Sequence, residues 1–238
     1  MTSPRPARTL EVRHLQIARA AFAALAAIMV TFSPDHSAVI GMSIFSGFAI
    51  TTALAFFAAV WLVYPSGRRW PAMLLGTTAL IAGMAGGLAP LRTIPGFFVT
   101  VIAWALISGV IELTAGWREL RHAPGRARRE IAPGVVDAGP YAAPGPASEA
   151  RDGVVIGVIT VILGLALLVV PTQYALRYTV AEAHQSFTLT GIIIGVGLFG
   201  GYAVIVAVYL AIAGFSPRRP LPIETEAATA SADQKDPA

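Results

Sequence analysis

The chain has 238 residues, of which 55% are hydrophobic and 13% charged, and its formal net charge is +4. A composition this apolar exceeds what the solvated surface of a soluble domain allows, and it indicates a protein whose surface faces lipid. The basic residues lie beside apolar runs without an aromatic stacking motif, which argues against a nucleic-acid partner, and the absence of cysteine excludes disulfides, thiolate metal sites and cysteine nucleophiles.

The chain opens with a polar segment, residues 1–14, which is followed by an alanine-rich apolar run over residues 15–32. A helix needs roughly 20 apolar residues to cross the hydrocarbon core of a bilayer, so this run predicts a first membrane span. A cleaved signal peptide is the alternative, because small residues near the end of the run resemble a cleavage region. After a short link, residues 38–64 predict a second span.

Residues 70–117 hold two further apolar runs, and a short link with two prolines joins them. They predict a membrane-spanning helical hairpin, so that spans one to four occupy residues 15–117. The next segment, residues 118–152, is rich in Pro, Gly, Ala and Arg and shows no sustained apolar period. We expect it to form a flexible basic loop.

Residues 153–215 contain the fifth and sixth apolar runs, separated by a polar link of about 16 residues. The remaining segment, residues 216–238, bears prolines and then becomes acidic and alanine-rich, which predicts a disordered tail. The fold class expected from this order is all-α: a polytopic membrane protein with six transmembrane helices.

Three segments share a pattern in which two small residues and a proline follow one another at intervals of seven. The members are Ala20, Ala27 and Pro34; Gly76, Gly83 and Pro90; and Gly157, Gly164 and Pro171. Because each copy precedes another apolar run, the pattern predicts three tandem helical hairpins. The prolines are expected to end the first helix of each hairpin.

Arginine distinguishes the two sides of the expected bundle. The N-terminal segment, the link between the second and third spans, the loop at residues 118–152 and the tail carry most of the arginines. Since cytoplasmic loops carry the Lys and Arg excess, both termini should lie in the cytoplasm, with the chain in the plasma or inner membrane. All three hairpins then run in the same sense, which predicts parallel repeats about an axis along the membrane normal.

The repeat resembles that of the HdeD-like family of small bacterial inner-membrane proteins. The likeness is carried by Gly76, Gly83, Pro90, Gly109, Glu112, Gly157, Gly164 and Pro171. It covers roughly residues 15–117 and 153–215. The resemblance implies an integral membrane protein of unknown molecular activity, linked in the family's namesake with acid or envelope stress, and it supplies no catalytic residues.

Two charged residues fall inside apolar runs. Glu112 precedes Trp117 by five residues, and Arg19 lies four residues inside the first span. Ionisable groups at such depth are costly unless they are paired. We expect Arg19 and Glu112 to face each other or to share water at the inner end of the bundle, as a structural pair; separate snorkelling and a proton- or ligand-linked role are the alternatives.

Two further sets of residues are assigned to packing and to lipid. The glycines expected at close helix contacts are Gly76, Gly83, Gly87, Gly157, Gly164, Gly195 and Gly201. Their GxxxG spacings favour packing within the chain, and a homo-oligomer interface is the alternative. The arginines expected to attract anionic lipid head groups are Arg118, Arg121, Arg126, Arg128 and Arg129.

The sequence predicts no catalytic, cofactor-binding or metal-binding residues, because no nucleophile with a base, nucleotide loop or histidine pair has supporting spacing. The leading interpretation is a non-enzymatic HdeD-like membrane protein, tied to envelope or acid stress. A small transporter or channel with a path between the hairpins is the first alternative, although only hydroxyl groups are expected near the midplane. A membrane enzyme acting on lipids or acyl groups is the second.

Overall fold

A computed structural model describes residues 10–64, 69–130, 147–180 and 185–216. These residues form six α-helices and one two-stranded antiparallel sheet. The helices are α1 (Val12–Phe32), α2 (Ala38–Leu62), α3 (Trp70–Gly87), α4 (Ile94–Glu130), α5 (Ala147–Val169) and α6 (Gly191–Phe215). The strands are β1 (Ala175–Val180) and β2 (Gln185–Thr190), which lie between α5 and α6.

Five of the described helices are long and apolar enough to cross a membrane. The helix outside this set is α3, whose 18 residues include one proline, two threonines and four glycines. Large apolar side chains remain on the outside of the bundle, among them Phe32 at 79% and Val169 at 80% exposure. Such a surface is costly in water and favourable in hydrocarbon, so the chain has the build of a membrane protein.

The six helices form a closed ring in chain order. Each helix packs against the helices before and after it, and α6 packs against α1. The most extensive interfaces join α2 to α3, α4 to α5, and α6 to α1, whereas the two helices of each expected hairpin share smaller interfaces. In addition, α2 reaches inward to α4 and α6. The tightest packing therefore lies between one expected hairpin and the next.

Successive helices run in opposite directions, because the start of one lies beside the end of its neighbour. The closely opposed residues are Ile17 with Gly214, Phe57 with Gly76, and Gly116 with Val154. Thus α1, α3 and α5 all begin at one end of the bundle, which we call the basal end. The opposite end, where β1 and β2 lie, is the far end.

An aromatic cluster fills the centre of the bundle where α2, α4 and α6 meet. Its members are Phe45, Phe48, Trp104, Phe199 and Tyr202, whose rings pack edge to face with centroids 5.3 to 6.0 Å apart. Such pairs contribute about 1 kcal/mol each beyond the burial of their area. The cluster fixes the mutual positions of α2, α4 and α6, which contribute to the site described below.

Glycine lets α4 and α5 touch backbone to backbone. A Cβ atom on Gly157 would lie 2.5 Å from the Leu113 amide nitrogen and 2.8 Å from the Gly109 carbonyl oxygen, distances that no side chain tolerates. The other expected packing glycines that meet a neighbour this closely are Gly76 against Phe57, Gly83 against Ile50, Gly164 against Leu106, and Gly195 against Phe98.

Two of the expected packing glycines behave differently. A Cβ atom on Gly87 would meet only the Ser46 hydroxyl oxygen, at 3.9 Å. A Cβ atom on Gly201 would meet no described atom of another helix within 4 Å, so the expectation that it packs against another helix of this chain is wrong. The physical reason is its position on α6, where it falls on the outward face together with Gly197.

The three prolines of the repeat lie where the helices were expected to end. Pro34 follows α1, Pro171 follows α5, and Pro90 lies in a short 3-10 turn, Ala89–Leu91, that follows α3. Proline lacks the amide hydrogen that a continuing helix requires. Helices α1, α3 and α5 therefore end shortly before these prolines.

The structure corrects the expected all-α fold and the expected loop in three places. Residues 175–180 and 185–190 form strands β1 and β2, since Tyr, Val, Phe and Thr are residue types that favour extended backbone, and α6 begins only at Gly191. Helix α4 continues past Trp117 to Glu130, because Arg, Glu, Leu and Ala are good helix formers. Helix α5 begins at Ala147, so only residues 131–146 of the expected loop lie outside the described residues.

Candidate functional site at the basal end

The two charges that the sequence placed at similar depth form an ion pair. Arg19 Nη1 lies 2.7 Å from Glu112 Oε1, and the two side chains are only 14% and 10% exposed. The guanidinium also lies over the ring of Phe56, 4.6 Å from its centroid. Because α1 and α4 are not adjacent in the ring, the pair bridges helices across the interior of the bundle. Its low exposure makes each charge dependent on the other.

The local structure of α1 positions Arg19, the basic member of the pair. Glu11 caps the helix, with its side chain accepting from the amide of His14 and its own amide donating to His14 Nδ1. This fixes the first turn, and Gln16 and Arg19, three residues apart, then lie on one face of α1. On α4 a spacing of seven places Glu119 on the same face as Glu112.

Below the ion pair, at the basal end, lies a cavity of about 110 Å³ that we call the vestibule. Its polar lining consists of Gln16, Arg19, Tyr64, Glu112, Glu119, Glu149 and Asp152. Its apolar lining includes Leu15, Phe56, Leu75, Ile156 and Leu210. A cavity needs roughly 10 to 15 Å³ of this kind of volume for each water, so the vestibule has room for several waters or a small ligand.

Above the ion pair lies a second cavity, the inner chamber, of about 20 Å³. Its polar lining is Thr52, Trp104, Ser108, Thr160 and Tyr202, together with the ion pair. Thr52 and Tyr202 lie near the middles of α2 and α6, which places the chamber about halfway along the bundle. Its volume is enough for one water. Arg19 and Glu112 line both cavities and therefore separate them.

The inner chamber is lined by polar atoms that have no partner among the described residues. They are Thr52 Oγ1, Trp104 Nε1 and Ser108 Oγ, on side chains that are each 5% exposed. Other hydroxyls in the bundle, such as those of Thr51, Thr78 and Thr160, donate to the carbonyl four residues earlier in their own helix. A buried indole N–H or hydroxyl without a partner is costly, so the chamber is built to hold something that hydrogen-bonds.

Thr160 and Tyr202 extend the polar lining of the chamber between α5 and α6. Their hydroxyl oxygens are 3.0 Å apart, and the Thr160 hydroxyl is also 2.7 Å from the Ile156 carbonyl oxygen. On the far side of the chamber the interior becomes apolar, since Phe45, Phe97 and Phe199 are fully buried there. The polar path thus leads from the basal end to mid-depth and stops.

Asp152 organises the wall of the vestibule formed by α1, α5 and α6. Gln16 Nε2 lies 2.8 Å from Asp152 Oδ2 and donates to it, and the Tyr209 hydroxyl lies 3.0 Å from Asp152 Oδ1. Gln16 is 6% exposed, yet its Oε1 has no hydrogen-bond partner among the described residues. One carboxylate therefore ties three helices together beside an unsatisfied acceptor.

Sequence reasoning missed Gln16, Asp152, Trp104 and Tyr202. Trp104 and Tyr202 lie within apolar runs, where tryptophan and tyrosine ordinarily serve packing. Gln16 and Asp152 lie near the ends of such runs. A signal was present in Gln16 and Asp152, because amide and carboxylate groups at the ends of membrane helices need partners as Glu112 does.

The arginines that follow the fourth span are only partly within the described residues. Arg118 lies over the ring of Trp70, 5.9 Å from its centroid, and Arg121 lies 5.1 Å from that of Trp117. The side chains of Arg126, Arg128 and Arg129 fall outside the described part of the chain. The two described arginines thus lie beside aromatic rings at the basal end, an arrangement typical of a membrane interface.

Within the described ranges, no group of three or more His, Asp or Glu residues is arranged to hold a metal ion. Comparison with known proteins found no family model, no curated protein and no solved structure that matches this chain.

Proposed function

We propose that this chain is a non-enzymatic integral membrane protein of the HdeD-like type, acting in bacterial envelope or acid stress through the Arg19–Glu112 pair and its two cavities. The single observation that carries the proposal is the placement of that pair. It is buried, it bridges helices across the ring, and it separates a basal vestibule from a polar chamber at mid-depth. A merely structural pair requires neither cavity.

The proposal includes six spans arranged as three like-oriented hairpins with both termini in the cytoplasm. Several contacts support it. Gly76 and Gly83 of α3 pack on α2, and Gly157 and Gly164 of α5 pack on α4, so corresponding glycines face the preceding helix in both cases. The alternating directions of the helices and the arginines at the basal end agree with the positive-inside rule.

Acid-shock survival tests the stress role. A bacterial strain lacking its own copy would receive the wild-type chain, Glu112→Gln, or Gly201→Ala as a matched control on an outward surface. We expect rescue by the wild type and by Gly201→Ala, and a loss of at least about tenfold in surviving cells with Glu112→Gln at equal membrane abundance, because the neutral side chain leaves Arg19 without its counter-charge. Full rescue by Glu112→Gln would remove the pair from the function, and no rescue by the wild type would remove the stress role.

A transporter or channel is the second candidate, and the inner chamber is the observation that favours it. Unpartnered polar groups halfway along a membrane helix bundle are typical of sites that substrates or ions visit. Among the described residues, the polar path reaches this depth from the basal end and stops at the aromatic cluster, so transport would require that cluster to open. Proteoliposomes loaded with a pH-sensitive dye would report proton flux driven by a potassium diffusion potential. Flux above that of empty liposomes, lost in Glu112→Gln, would favour transport.

The arginines at the basal end support a further part of the proposal, namely that anionic lipids are partners. Each basic residue near a negatively charged surface contributes about 1 kcal/mol of attraction. Binding to liposomes is uninformative for an embedded protein, so the measurement is the retention of lipids. Native mass spectrometry of the chain with mixed lipids should show retained phosphatidylglycerol, and Arg118→Gln with Arg121→Gln should reduce it.

A further inference from the structure

Carboxylates are the commonest charged groups in the lining of the vestibule. Glu112, Glu119, Glu149 and Asp152 contribute one each, and Arg19 contributes a guanidinium that pairs with Glu112 at 2.7 Å. Asp152 accepts from Gln16 and Tyr209, which are neutral donors and bring no positive charge to its carboxylate. Low-dielectric walls strengthen the field of such a carboxylate, which favours a cation beside it.

The hydrogen bonding of Gln16 indicates which kind of ligand group the vestibule would hold. Its Nε2 donates to Asp152 Oδ2 at 2.8 Å, and this bond fixes which way the amide points, because the amide oxygen is repelled by a carboxylate. Gln16 Oε1 is consequently left buried, on a side chain only 6% exposed that lines the vestibule, without a donor among the described residues. A buried carbonyl oxygen in this position calls for an N–H or O–H donor.

The neighbouring Asp152 makes a charged donor preferable to a neutral one. Its Oδ1 accepts from the Tyr209 hydroxyl at 3.0 Å, and its carboxylate oxygens retain further acceptor capacity. An ammonium group has three N–H donors and a full positive charge, so it satisfies an amide oxygen and a carboxylate together. The described residues offer no cluster of His, Asp and Glu suited to a metal ion.

The rest of the lining fits a short alkyl chain. Leu15, Leu75, Ile156 and Leu210 give the vestibule an apolar part to its lining, and its volume of about 110 Å³ admits only a few non-hydrogen atoms beside the ammonium group. We propose that the vestibule binds a small primary ammonium ion, held by Gln16 Oε1 and the Asp152 carboxylate. This goes beyond the proposed function, because it does not depend on a stress role or on transport.

The first test uses the wild-type full-length chain in nanodiscs of neutral phosphatidylcholine. Its thermal unfolding midpoint would be measured in rising ethylammonium chloride, tetramethylammonium chloride and sodium chloride at matched ionic strength. A ligand that binds only the folded state raises the midpoint in a saturable way. We expect this rise with ethylammonium alone, because tetramethylammonium lacks N–H donors. Equal curves for all three salts, or a saturable rise with sodium, would overturn the assignment.

The second test assigns the site with matched variants. Gln16→Met keeps the approximate length of the side chain and removes the acceptor, and Gln173→Met makes the same change at an exposed position at the far end. We expect the half-saturating ethylammonium concentration to rise at least about tenfold in Gln16→Met and to stay unchanged in Gln173→Met. An unchanged value in Gln16→Met would overturn the proposal. If Gln16→Met does not fold, Asp152→Asn takes its place, because asparagine keeps an acceptor for Gln16 and loses the charge. The half-saturating ethylammonium concentration should again rise at least about tenfold, and an unchanged value would overturn the proposal.

Discussion

Arg19 of α1 and Glu112 of α4 meet at 2.7 Å although the two helices are not adjacent in the ring. The pair therefore holds the interior of the bundle together at a level where the helices enclose polar space on both sides. Burial makes the two charges interdependent, since either one left alone retains the cost of desolvation without the attraction that offsets it.

Removing one charge should destabilise the protein more than removing both. We expect Glu112→Gln or Arg19→Gln to lower the free energy of unfolding by about 3 to 5 kcal/mol, because an unpaired buried group remains. The double variant Arg19→Met with Glu112→Met should recover most of this loss, since two apolar side chains pack without a charge. Unfolding midpoints in detergent give the comparison. Single variants as stable as the wild type would show that the pair contributes nothing to folding.

The glycine contact between α4 and α5 gives a second prediction. Gly157→Ala should lower the free energy of unfolding by about 1 to 3 kcal/mol, because its Cβ would lie 2.5 Å from the Leu113 amide nitrogen and force the helices apart. Gly201→Ala is the matched control, because its Cβ would meet no described atom of another helix within 4 Å, and it should be neutral or stabilising by up to about 1 kcal/mol through helix propensity. Equal losses from both changes would mean that Gly201 is covered by something outside this chain.

Two buried serines provide a third prediction. Ser46, 7% exposed, lies with its hydroxyl 2.6 Å from the Gly83 carbonyl oxygen and donates to it, whereas Ser108, 5% exposed, has no partner among the described residues. Ser46→Ala should cost about 1 kcal/mol of stability, the usual net value of a buried hydrogen bond. Ser108→Ala should cost a similar amount, because the inner chamber has room for one water that its hydroxyl can bond. No loss at Ser108 would show that the inner chamber is dry.

A fourth prediction concerns the direction of the helices in the membrane. Because the chain has no cysteine, single cysteines can be placed freely. Asp35→Cys, Thr93→Cys and Gln173→Cys lie in the three links at the far end, and all three should react with a membrane-impermeant maleimide added outside intact cells. Arg121→Cys, at the basal end, should react only after the cells are opened. Labelling of any one far-end site from the opposite side would contradict three like-oriented hairpins.

The sequence was most informative where the membrane imposes a simple rule. The lengths of the apolar runs predicted the helices, proline predicted where α1, α3 and α5 end, and depth alone predicted that Arg19 and Glu112 meet. Each of these rules uses only position along the chain.

The features that could not be predicted from the sequence depend on which helices pack against each other. Intervals of seven placed Gly76 and Gly157 on a helix face, but spacing does not tell which helix covers that face, and the covering helix precedes the glycine in both cases. Gly201 has the same GxxxG spacing and faces outward. Hydroxyl groups were expected near the midplane, but spacing could not group Thr52 with Trp104 and Ser108, because they come from two helices and are polar neighbours only once α2 and α4 meet.

Among the described helices, α1 and α6, which close the ring, are the first and the last along the chain. During biosynthesis α1 is therefore made well before α6, the helix with which it shares its largest interface, and Arg19 lacks its counter-charge until α4 has been made. A chain truncated before α4 leaves the Arg19 guanidinium without Glu112, so completing the ion pair depends on synthesis reaching the fourth helix.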